Sequence, residues 1–78
     1  MQVKEYKSNR EGKAEFVAEV LSPLMVQART GYYGAEYEVI EGQGEYVWLL
    51  DRDGEKCMAV NVSCDSVQAI VQDVFNKI

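Results

Sequence analysis

Cys57 and Cys64, the neighbouring carboxylates Glu36 and Glu38, and the run Asp51-Arg52-Asp53-Gly54-Glu55 are the groups whose types and spacing could do chemistry. A nucleophilic thiol or hydroxyl needs a base beside it, and the chain has no histidine, the commonest general base and metal ligand. Cys64 stands just before the last helical pattern, where the positive end of a helix would lower a thiol pKa. On one extended strand the two cysteines would lie about 23 Å apart at ~3.3 Å per residue, too far for a disulfide. Two reduced thiols are the expectation. Glu36 and Glu38 share a strand face, but an acid catalyst would require one of them to be buried and its pKa raised. Residues 51–55 resemble the start of a calcium loop, yet the further ligand positions of an EF-hand fall on Leu49 and Val60. Gly42-Gln43-Gly44 begins like a dinucleotide fingerprint, but the third glycine position is Val47. No catalytic residue, cofactor or metal site follows, and the chain is expected not to be an enzyme.

The elements that would carry these groups are readable from periodicity. Ser8 followed by Glu11 has the spacing of a capping box. Behind it Phe16, Val17, Val20, Leu21, Leu24 and Ala28 recur at the helical interval. Pro23 interrupts this stripe, which predicts a kinked helix or two short ones, and Gly31 ends it. From Tyr32 to Glu41 the period becomes two, the signature of a strand. Gly42-Gln43-Gly44 is a turn, Glu45–Asp51 a second strand, Asp53-Gly54 a two-residue hairpin loop with both positions at positive φ, and Glu55–Ser63 a third strand. Asp65 as N-cap with Gln68 starts a last helix, with Val67, Ile70, Val71, Val74, Phe75 and Ile78 on one stripe.

The two turns set a register in which Ile40 faces Tyr46, Val39 faces Val47 and Glu38 faces Trp48. In the second hairpin Leu50 faces Cys57, Leu49 faces Met58, Trp48 faces Ala59 and Val47 faces Val60. One sheet face then carries Tyr37, Val39, Val47, Leu49, Met58, Val60 and Val62. The other carries Glu36, Glu38, Ile40, Tyr46, Trp48, Leu50, Cys57, Ala59 and Asn61. The expected fold is a single α+β domain spanning residues 1–78. It has two layers in the order α-β-β-β-α, a three-stranded antiparallel sheet with both helices on its apolar face. Val71 and Phe75 are expected to be buried against Leu49 and Val60. The element order resembles that of double-stranded RNA-binding domains in topology alone, since Asp65 opens the last helix where that family carries a basic cluster, and Lys77 is the helix's only cation.

Composition narrows the function further. Eight basic against thirteen acidic residues leave a net charge of −5 and a pI near 4.6, which argues against direct nucleic-acid binding. No apolar run approaches the ~18 residues of a membrane span, and the opening MQVKEYKSNR lacks the apolar core of a leader, so a cytoplasmic protein is expected. Residues 31–64 hold seven acidic and two basic groups, so the sheet carries the charge deficit. With both helices on the first face, Glu36, Glu38, Ile40, Tyr46, Trp48 and Leu50 form an uncovered aromatic and apolar patch with an acidic rim, the make-up of a protein contact site. The sequence therefore points to a small interaction module that self-associates into a homo-oligomer or binds a protein partner through this face. The alternative is an acidic inhibitor of phage or mobile-element type, which imitates phosphates to block a basic groove. A helix crossing over, or the N-terminal MQVKEYK, could instead cover the patch.

Overall fold

A computed structural model describes residues 5–78, so the first part of the N-terminal stretch, residues 1–4, lies outside the described residues. Asn9, not Ser8, caps the first helix, its side chain accepting from the Gly12 N–H at 2.8 Å. Helix α1 (Arg10–Phe16) runs into a π-helical turn (Val17–Leu21) and then α2 (Ser22–Gln27), with right-handed helical dihedrals at each junction. Pro23 offers no N–H and crowds the carbonyl four residues back. The chain answers with a widened turn just before it, in which the Ser22 N–H reaches back to the Val17 carbonyl. The rod therefore continues through the proline. Widening also shifts the stripe: Phe16, Val17, Leu21 and Met25 are buried, while Val20 is exposed, contrary to the α-helical spacing. Arg29, at φ 54°, ends the rod, with Arg29 N–H on the Val26 carbonyl and Thr30 N–H on the Met25 carbonyl. That is the Schellman pattern, and it closes two residues before Gly31.

Three antiparallel strands follow in spatial order β1 (Gly34–Ile40), β2 (Gly44–Leu50) and β3 (Lys56–Asn61). Between β1 and β2 the register differs from expectation by two residues: Glu36 faces Trp48, Tyr37 faces Val47 and Ile40 faces Gly44. The loop is Glu41-Gly42-Gln43, one residue earlier, and a shift of two leaves every side chain on its expected face. Between β2 and β3, Val47–Val60, Trp48–Ala59 and Leu49–Met58 pair as expected. The turn does not. Asp51 N–H bonds to the Glu55 carbonyl, so three residues form the loop and Gly54 alone takes positive φ. The extra residue puts Lys56 opposite Leu50, and a bulge at Cys57 restores the register. Along the outer edge of β1, the Ala35 N–H donates to the Ser22 hydroxyl at 3.0 Å.

Helix α3 (Val67–Lys77) is capped by Ser66 rather than Asp65. Its buried residues are Val67, Ile70 and Val74, whereas Val71 and Phe75 are only partly buried at the margin of the core. The helix is thus rotated from the expected orientation. Val47, Leu49, Val60 and Val62 join Ala35, the rod's Phe16, Val17, Leu21 and Met25, and the buried residues of α3 in one cluster. The chain is an α+β structure, three antiparallel strands with helices before and after.

Residues 5–9 cross α1 where Gly12 allows it. A Cβ there would run into the Lys7 carbonyl, which is backbone and cannot swing aside. Gly12→Ala is therefore expected to destabilise the fold by about 1–3 kcal/mol, the range for overpacking, despite alanine's better helix propensity. Urea unfolding measures it, and a variant as stable as the parent would show that the segment does not lie there.

Candidate functional site

The alternation of the strands brings Glu36, Glu38, Ile40, Tyr46, Trp48 and Leu50 to one side of the sheet. Ile40, Tyr46, Trp48 and Leu50 are half-buried, and none belongs to the core cluster or packs against it. Trp48 is the centre of the patch. Its Nε1 donates to Glu38 Oε1 at 2.7 Å, and Lys56 Nζ stands 5.1 Å from its ring centroid and 3.5 Å from Glu38 Oε1. The indole N–H thus has its partner and the ring has a cation over its face. Side-chain exposures of 41% for Lys56 and 40% for Glu38 make this ion pair a weak stabiliser. Glu36 is exposed on the same face, and the Tyr46 hydroxyl donates to the Gln43 carbonyl at 3.3 Å.

The other chemical candidates are placed differently. Asp51 Oδ1 accepts from the Asp53 and Glu55 backbone N–H groups, both at 2.9 Å, so this carboxylate serves the hairpin turn. Cys57 and Cys64 are free and exposed, Cys57 in the bulge of β3.

A polar cluster that the sequence reading missed links the rod to the sheet. Lys13 is buried, with only 4% of its surface exposed. Its ammonium donates to Glu45 Oε1 at 3.1 Å and to the Val62 carbonyl at 3.3 Å, and the Tyr37 hydroxyl donates to the same carboxylate oxygen. Burial pushes the Glu45 pKa up, but the bonds from Tyr37 and Lys13 and the charges of Lys13 and Arg10 outweigh it and hold Glu45 below its usual value. Burial first, then the bond to Glu45, raises Tyr37 above its ordinary range. Lys13 lies three and four residues before Phe16 and Val17, on the buried stripe, and that position was the available signal.

Comparison with protein-family models, with curated proteins and with solved structures finds no match to this chain. Among the described residues, no helix is long and apolar enough to cross a membrane.

Proposed function

We propose that this chain is a small acidic cytoplasmic interaction module, working by binding rather than catalysis, that associates with a second copy of itself through the face bearing Trp48. In this reading both helices cover the opposite face. The observation that carries it is the separation of Ile40, Tyr46, Trp48 and Leu50 from a core that already includes residues of both helices and of the sheet's other face. The N-terminal segment does not compete for the patch over its described part, because Tyr6 stacks edge-on against Phe16 of α1 with ring centroids 5.4 Å apart. Trp and Tyr supply a disproportionate share of binding energy at interfaces, and small domains gain stability by association.

The second reading, an acidic inhibitor that occupies a basic groove, draws on the exposed carboxylates of Glu36, Glu41, Asp53 and Glu55 around the same sheet. Sedimentation of the isolated protein separates the two. A dimer that persists in high salt supports self-association; a monomer that captures a basic nucleic-acid-binding protein and releases it at high salt supports mimicry.

Trp48→Ala tests the surface directly. Association is expected to weaken by about 2 kcal/mol, roughly thirtyfold in Kd, with a cooperative melt retained. If parent and variant are both monomeric and the variant has lost its fold, Trp48 belongs to the structural core and the self-association reading falls.

A further inference from the structure

The face bearing Trp48 is charged unevenly across its width. Glu36 and Glu38 both stand on β1, and Lys56 stands at the start of β3, on the opposite margin. The strand pairings set three levels along this face. Gly34, Leu50 and Lys56 share the first, Glu36, Trp48 and Ala59 the second, and Glu38, Tyr46 and Asn61 the third. The Lys56 ammonium leans back to its own Glu38, 3.5 Å away, but both side chains are well exposed and the pair holds weakly. The Glu36 carboxylate is exposed and makes no ion pair among the described residues. Asn61 Oδ1 accepts from the Ser63 N–H at 2.9 Å, which leaves the side-chain NH2 group to donate.

Two sheets packed face to face keep their strands nearly aligned. A symmetric pair joined through this face therefore has two arrangements, set by the direction of its twofold axis. With the axis across the strands, β1 lies over β1 of the second copy, so acid faces acid and Lys56 meets no carboxylate. With the axis along β2, β1 lies over β3 of the second copy, and the two margins carry opposite charge. Lys56 then comes down at the level of Gly34, which has no side chain to obstruct it. Glu36 stands two residues further along, about 7 Å, within the reach of a lysine side chain. Asn61 comes down at the level of Glu38. We propose, resting on the self-association reading above, that two copies pair about a twofold axis parallel to β2. Each Lys56 leaves its own Glu38 for Glu36 of the other copy, and each Asn61 donates to the Glu38 so released. Like charges set against each other across a contact are costly, and this arrangement alone of the two avoids them.

The test is sedimentation equilibrium of the full chain for the parent, Glu36→Lys, Lys56→Glu and an equal mixture of the two variants. Each variant alone sets like charges together at two symmetric places and is expected to weaken association about tenfold. The mixture recreates both opposite-charge contacts in a heterodimer and is expected to return to the Kd of the parent. Variants that dimerise as tightly as the parent, or a mixture no tighter than its components, overturn the arrangement while self-association stands. A parent that stays monomeric removes self-association and the arrangement with it. Carbodiimide coupling of a mixture of unlabelled and isotope-labelled parent gives a reading that needs no variant. A Glu36–Lys56 cross-link with one half from each kind of chain supports the proposal. Mixed-label cross-links that join Lys56 only to other carboxyls, or none at Lys56, overturn it.

Discussion

Replacing Ile70 with alanine is expected to cost about 2–5 kcal/mol, the range for emptying a fully buried aliphatic site. Ile70 is fully buried and belongs to the same cluster as Leu49 and Val60. For a domain whose whole stability is on the order of 5 kcal/mol, such a variant is largely unfolded near 37 °C. Phe75→Ala is expected to cost clearly less, although phenylalanine is the larger residue, because Phe75 lies at the partly buried margin. Urea midpoints at unchanged slope compare the two. If Phe75→Ala proves the costlier, α3 presents the neighbouring stripe to the sheet, about 100° around the helix.

Lys13→Ala is expected to be equally severe, about 3–5 kcal/mol, because it removes one partner of a buried pair and leaves the other charge stranded. The side chains of Lys13 and Glu45 are only 5% and 12% exposed, so water cannot replace the lost ammonium. Adding Glu45→Gln to Lys13→Met removes the stranded charge while leaving the Tyr37 hydroxyl an oxygen to bond, and should recover part of the loss. A double variant less stable than Lys13→Met alone would contradict this account. Glu45 is held below its unfolded pKa, so its contribution is present above about pH 4.5 and is lost as pH falls through the lower folded value.

Binary patterning made the strands and their faces legible. Alternation put Val47, Leu49, Val60 and Val62 on the buried side and Tyr46, Trp48 and Leu50 on the other, and both departures in the turns left that division unchanged. The β1–β2 register slipped by an even number of residues. The three-residue loop at Arg52-Asp53-Gly54 was compensated by the bulge at Cys57. Helix ends were less legible, because several adjacent residues can cap equally well and only tertiary contacts choose between them. Ser8 is the clearest case: Asn9 takes the cap of α1, and the Ser8 hydroxyl instead accepts from the Val67 N–H, 59 residues away, at 3.2 Å. Asp65 yields its cap to Ser66 in the same way. The buried stripe of the rod was misread because the π-helical turn departs from the 3.6-residue period, and Pro23 announces a disturbance without specifying its form. Lys13 was not singled out from the sequence, since charge alone does not reveal that Glu45 waits for it across the interface.

The two margins of the sheet bear on how large an assembly of this chain can grow. A bare strand margin is a template on which further chains can add indefinitely, as in fibrils. Here Ser22 occupies a backbone donor on the β1 side, and the bulge at Cys57 breaks the regular spacing on the β3 side. An isologous contact through the broad face, by contrast, consumes that face in both copies and closes on itself. Polymerisation at high concentration is accordingly expected to start from Ser22→Ala, or from changes that straighten the bulge, sooner than from substitutions in the patch around Trp48.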